Sequence, residues 1–283
     1  QAAQTAVLAV THSSTAHCPL RFGVLRAVEP SREPIQPAVR TGAELPPPVL
    51  GPAARAELKA SSLVERWANA RRERLFREHE DAFAKLDGAE AWKAYAAKLR
   101  AKLLQDLFPG SGGKLPERTP LNAKAVFEHP GDGFRCVGVL FESRPGLPVP
   151  VTLYLPAKEA VAGERRAALV MLPAHHTPRN SPDLYAMGAN FARAGGIALA
   201  METIGSGERS VSARWEHKTY QRCLIGAQLM LAGEELSGWI AWDISRAADY
   251  LIERGDVDPK RLGVLGGVAG GGDLVAVASA VDE

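Results

Sequence analysis

Residues 262–281 read LGVLGGVAGGGDLVAVASAV. The short apolar run Leu262–Leu265 predicts a buried strand, and the apolar run Leu274–Val281 predicts a helix. Between them, the glycine-rich stretch Gly266–Gly272 predicts a tight turn in which strand and helix backbones approach closely. A strand, a sharp glycine turn and a helix in this order can present a nucleophile at the end of a sheet.

The turn matches the spacing of a nucleophile motif but lacks its nucleophile. In the pattern G-x-S-x-G the serine stands at the tip of the turn, and here Gly267-Val268-Ala269-Gly270-Gly271 places Ala269 there. The chain contains no other G-x-S-x-G. A dinucleotide fingerprint would need the spacing G-x-G-x-x-G after the first strand of its unit, and a P-loop would need Gly-Lys-Ser/Thr. The turn has neither. A nucleotide site and a purely structural turn remain as weaker alternatives.

The preceding residues alternate between strand and helix patterns. Arg135–Glu142 and Val149–Leu155 predict a hairpin, with Arg144-Pro145-Gly146 as its turn. Two short apolar runs predict strands buried on both faces, and three longer runs predict helices: Ala167–Leu172 and Ile197–Met201, then Leu184–Ala194, Thr219–Ala232 and Leu236–Glu253. Asp256 and Asp258-Pro259 predict a turn. These elements indicate an α/β fold of about five strands with a mostly parallel sheet.

The pattern divides the chain into three parts. Residues 1–52 hold eight of the 20 prolines and predict an extended leader or linker. Residues 53–117 show helical periodicity, interrupted at Asp87-Gly88 and ended by Pro109-Gly110. An arginine-rich stretch in this part is interpreted as a solvated helix face, because acidic residues are interleaved. Residues 118–283 form the α/β part.

Composition excludes several classes of function. Thirty-four basic and 32 acidic residues give a net charge of +2, which offers no nucleic-acid footprint. No apolar run is long enough for a transmembrane helix. The three cysteines, Cys18, Cys136 and Cys223, show neither zinc-site nor disulfide spacing. The chain begins with Gln1 and not with Met, which fits either removal of a leader or a fragment of a longer protein. A secreted or periplasmic protein is expected, with a cytoplasmic one as the alternative.

Several short motifs resemble one enzyme family in their order and spacing. The motifs are RTPLNA (118–123), FESRPG (141–146), LYLP (153–156), IGSGER (204–209), Trp242-Asp243, Arg246-Ala247, DYL (249–251) and VDPKRLGV (257–264). Together they are similar to the acetyl xylan esterase-like α/β-hydrolases, which are related to the dienelactone hydrolases. The resemblance implies an α/β-hydrolase fold over 118–283, with a sheet expected to be incomplete at its C-terminal end.

The resemblance also implies roles for individual residues. Ala269 stands at the nucleophile position, and the backbone N–H of Gly270 and the Ala174-His175 loop would form the oxyanion hole. Four further residues are expected to line the pocket: His176, Glu202, Glu208 and Arg209. A Glu–Arg ion pair holding that loop is the simpler interpretation of the charged residues. No metal or cofactor is expected, because His175 and His176 lack a third ligand at fitting spacing.

Three functional hypotheses follow. The first is a carboxylic ester hydrolase by descent, acting on a small acyl ester or an acetylated carbohydrate. It is expected to be inactive because alanine cannot attack a carbonyl and because the acid and histidine, which the resemblance places after the elbow, are absent from this sequence. The second is a degenerate module that serves as a binding or packing partner. The third is a deliberate serine-to-alanine replacement, against which Val268 argues because it too departs from a hydrolase elbow.

Overall fold

The structure, a computed structural model, describes residues 49, 51–58, 62–175, 177–210 and 218–282. These residues divide into two compact units, one ending at Tyr95 and one starting at Ala96. The division falls inside a helix, so the domain boundaries expected after residues 52 and 117 stay predictions. The leader expected over residues 1–52 lies almost entirely outside the described residues.

The smaller unit is helical. It contains α1 (Pro52–Glu57), α2 (Leu63–Ala84) and the start of α3 (Gly88–Leu107). The break predicted at Asp87-Gly88 is confirmed, with Gly88 at φ +74°. The ring of Phe83 contacts Trp92 and Tyr95 at centroid distances of 5.5 and 5.1 Å. Exposed ion pairs at i, i+4 spacing along α2, such as Arg74–Glu78 at 3.7 Å, agree with the solvated face expected there.

The larger unit is built on one mixed sheet. Its strands are β1 (Lys124–Pro130), β2 (Phe134–Arg144), β3 (Leu147–Pro156), β4 (Arg166–Leu172), β5 (Ile197–Met201) and β6 (Val257–Gly266). Their order in the sheet is β1-β2-β3-β5-β4-β6. Strand β4 pairs parallel with both β5 and β6, whereas the pairs β1–β2, β2–β3 and β3–β5 are antiparallel. The predicted hairpin is therefore the antiparallel extension of a parallel centre.

Helices cover both faces of the sheet. They are α4 (Pro182–Arg193), α5 (Lys218–Leu231), α6 (Leu236–Glu253) and α7 (Gly272–Val281). Side chains alternate between the faces, as they must along a strand. Leu199 of β5 belongs to the core that includes Ile244 of α6 and Leu274 of α7, whereas its neighbour Ala198 packs with Leu184 of α4. The α/β fold class is confirmed.

Two sequence predictions need correction. The structure has a strand before residue 133, β1, which the count of five missed; its seven residues are all exposed, so they carry no core-facing alternation. Strand β6 begins at Val257, so Asp258-Pro259 lies within the strand and not before it. Its pairing with β4 shifts register between Val257 and Leu262. The Asp258 carboxylate accepts from the N–H of Lys260 at 3.0 Å there, so local turn chemistry survives inside the strand.

No helix in the described ranges is both long and apolar enough to cross a membrane.

Candidate active site

The turn between β6 and α7 is the feature around which the site is built. The carbonyl of Val268 accepts from the N–H of Gly272 at 2.8 Å, which opens the first turn of α7. Val268 adopts φ +57° and Gly270 φ +83°. A Cβ on Gly266 would overlap the carbonyl of Gly271. The chain therefore reverses within a few residues, with strand and helix backbones in contact, as the glycine-rich sequence predicts.

The loop after β4 is bonded to this turn. The carbonyl of Ala269 accepts from the backbone N–H of His175 at 2.9 Å and lies 2.9 Å from its ring Nδ1. Because a carbonyl can only accept, Nδ1 carries a proton in this arrangement. The structure thus brings together His175 and Ala269, which are 94 residues apart in the chain. His176 lies outside the described residues.

The backbone N–H groups of Gly270 and His175, which were expected to stabilise an oxyanion, both donate hydrogen bonds to other groups of the chain. The N–H of Gly270 donates to Oδ1 of Asp273 at 2.7 Å, and the same oxygen accepts from the N–H of Leu274 at 3.0 Å. Asp273 lies in the first turn of α7, where a carboxylate is favoured by the helix dipole. The N–H of His175 is used by Ala269, as described above. The oxyanion roles of Gly270 and His175 stay predictions.

Glu202, Glu208 and Arg209, which were expected to line a pocket, lie on the loop after β5. Their ion-pair partners are Arg179 and Asp243, which the sequence did not predict. Nη1 of Arg179, on the loop after β4, lies 3.2 Å from Oε2 of Glu202 and 2.5 Å from Oε2 of Glu208. Glu202 is 1% exposed, so its charge is held inside the protein by that guanidinium. Sequence reasoning missed Arg179; its place just after a parallel strand was the available signal.

Arg209 pairs with a helix and not with the neighbouring glutamates. Its Nη1 lies 2.6 Å from Oδ2 of Asp243 on α6, and the two side chains are 7% and 0% exposed. The same Nη1 donates to the carbonyl of Glu202 at 3.3 Å. Burial lowers the pKa of the nearby Arg144 guanidinium, an effect that Asp243 and Glu234 oppose and Arg209 reinforces. The buried Arg209–Asp243 pair fixes the loop after β5 to α6.

A cavity of about 300 Å³ opens beside these loops. Its apolar wall comes from β1, β2 and β3, and its charged rim is Arg179, Glu208 and Arg209. Glu202 does not line it. Because β4, β5 and β6 run parallel, the loops that supply this rim and the turn after β6 lie at the same end of the sheet. No residue of the turn lines the cavity, which lies on the β1–β3 side of the sheet and is separated from β6 by β5 and β4.

No set of three His, Cys, Asp or Glu side chains in the described part of the chain is grouped to hold a metal ion.

Two solved structures share this architecture. One is a Bacteroides fragilis protein assigned as a candidate acetyl xylan esterase, with a TM-score of 0.55 and 16% identity over 68% of this chain and 51% of that chain. The other is the methylesterase BT1017, with a TM-score of 0.54 and 21% identity over 71% of this chain and 41% of that chain. The chain has an α/β-hydrolase fold. At these identities the likeness concerns the fold alone.

The similarity covers only part of each of those two structures. The chain spans 51% and 41% of the lengths of those two structures. No protein-family model matches the sequence, and no curated protein matches it. The activity of this hydrolase-fold chain is therefore a matter of proposal.

Proposed function

We propose that this chain is a carboxylic ester hydrolase by descent that no longer performs the covalent step. The observation that carries the proposal is the turn after β6, which has the strained strand-to-helix geometry of a nucleophile elbow but contains only Val268, Ala269 and glycines between Gly266 and Gly272. Neither a hydroxyl nor a thiol is available there to attack an acyl carbon. Loss of the nucleophile in a triad enzyme costs on the order of 10⁶ in turnover.

The substrate class proposed for the site is a small acyl ester or an acetylated carbohydrate. The support comes from the two solved structures of the same fold, which are named as a candidate acetyl xylan esterase and a methylesterase.

Hydrolysis of p-nitrophenyl acetate tests the loss of covalent chemistry. The folded chain is compared with the same chain unfolded in urea, which retains every side chain but no site. We expect equal, non-saturating release of p-nitrophenolate, due to slow attack by surface groups. Saturable release that requires the folded state would refute the proposal.

A second candidate function is a degenerate module that acts as a binding or packing partner. The bonds of Gly270 to Asp273 and of His175 to Ala269 favour it, because amides used within the chain cannot also bind an oxyanion. Calorimetric titration with acetylated and deacetylated xylo-oligosaccharides separates the two. Preferential binding of the acetylated sugar supports the first candidate, whereas binding of neither sugar supports the second.

A further inference from the structure

We infer that Val268, and not Ala269, occupies the nucleophile position of the elbow, and that the N–H of Ala269 is its oxyanion donor. The inference rests on the proposed descent from ester hydrolases, and it identifies the residue that stands where the nucleophile of such an enzyme would be. The sequence allows two registers of the G-x-S-x-G pattern. In one, Gly266 and Gly270 flank Val268; in the other, Gly267 and Gly271 flank Ala269.

Backbone strain lies at Val268. The nucleophile of an elbow sits on a sharp, strained strand-to-helix turn. Among the described residues, Asn122 and Val268 are the two non-glycine residues with positive φ, at +46° and +57°. Asparagine tolerates this region, but a β-branched residue there is an outlier. The conformation that an elbow imposes on its nucleophile is therefore imposed on Val268.

Both glycines that flank Val268 are required by the backbone geometry. Gly266 has no room for a Cβ because the carbonyl of Gly271 occupies that place, and Gly270 adopts φ +83°. Gly267, which would be the first flanking glycine of the other register, has no atom within 4 Å of a Cβ built on it. Gly271, the second flanking glycine of the Ala269 register, also lacks room for a Cβ, so close approach requires one glycine in each register. The left-handed φ of Gly270 is the further requirement that favours the register centred on Val268.

The amide groups follow the same register. In an elbow, the residue after the nucleophile supplies an oxyanion donor. The N–H of Gly270, which follows Ala269, already donates to Asp273 at 2.7 Å. The N–H of Ala269, which follows Val268, has no acceptor among the described residues. A tetrahedral intermediate formed at position 268 would therefore meet an available donor.

Cysteine variants at the two positions test the register, because a thiolate attacks an activated ester without a histidine base. Val268→Cys and Ala269→Cys are each mixed with p-nitrophenyl acetate. The thiol proton passes to solvent, the sulfur forms a bond to the acetyl carbon, and the C–O bond to p-nitrophenolate breaks. Release of p-nitrophenolate gives the rate, and peptide mass spectrometry locates the S-acetyl group and separates it from the three native cysteines.

We expect Val268→Cys to acetylate at least tenfold faster than Ala269→Cys, since one oxyanion donor contributes about 10²–10³ in other hydrolases. Equal rates, the reverse order, or no acetylation of either variant above the parent would overturn the inference. Saturable turnover by the unsubstituted chain would instead refute the proposed function. If Val268→Cys does not fold, the alanine and glycine variants described below locate the strain by stability alone.

Discussion

The same chemical change, alanine to glycine, should have opposite effects at two adjacent positions of the elbow. Val268→Gly is compared with Val268→Ala, and Ala269→Gly with the parent chain. Each comparison removes one methyl group. Val268 is 68% exposed, so its replacement by alanine loses little buried surface. With Val268→Ala as the reference, the change to glycine then reports mainly the backbone strain.

The expected magnitudes follow from the backbone angles. An L-residue in the left-handed region costs about 1–2 kcal/mol, which glycine does not incur. Glycine loses about 0.5–1 kcal/mol through the greater entropy of the unfolded chain. At position 268, with φ +57°, glycine should therefore raise the free energy of unfolding by roughly 0.5–1 kcal/mol. At position 269 it should lower it by about 0.5–1 kcal/mol.

Urea unfolding followed by circular dichroism measures both differences, and thermal melts provide a second scale. One kcal/mol corresponds to about 2–4 °C in a domain of this size. If glycine destabilises position 268 as much as position 269, the strain does not lie at Val268 and the assigned register is wrong.

Three further predictions concern the surroundings of the site. Gly266→Ala should destabilise by about 1–3 kcal/mol, because its Cβ overlaps the Gly271 carbonyl, whereas Gly267→Ala should cost nothing; equal urea midpoints would contradict the close approach. Asp243→Ala should cost about 3–5 kcal/mol by leaving Arg209 buried and uncompensated, and adding Arg209→Met should recover part of that loss; a loss below about 0.5 kcal/mol in the single variant would refute the buried pair. Burial, then Cys136 and Tyr185, raise the pKa of Tyr154 to about 12. The folded state therefore favours the neutral phenol, and this stability is complete below pH 10 and is lost as pH rises towards 12. Tyr154→Phe should flatten urea midpoints over that range, and an unchanged slope would show that another group causes it.

Much of the fold could be predicted because its elements carry strong local patterns. The hairpin, the buried strands β4 and β5, and the helices α4 to α7 have apolar runs bounded by glycine, proline or aspartate. Strand β1 could not be found in this way, since none of its residues is buried and a strand exposed on both faces has no period to detect.

The charged residues of the site show a different limit. Their position after β5 was readable, because loops at the carboxyl ends of parallel strands meet at one edge of the sheet. Their partners were not: Glu208 pairs with Arg179, and Arg209 pairs with Asp243 across 34 residues of chain. Ion-pair choice depends on three-dimensional distance and burial, which spacing along the chain does not encode.

For the elbow, the sequence determined one part of the answer and the folded structure determined the other. The sequence alone determined that a strand meets a helix through a turn without a nucleophile, because every residue from Gly266 to Gly272 is glycine, valine or alanine. It could not determine which residue stands at the tip, since flanking glycines fit both Val268 and Ala269. Only the folded backbone distinguishes them, because the φ angles and the hydrogen bonds of the turn are set by how β6 and α7 pack together.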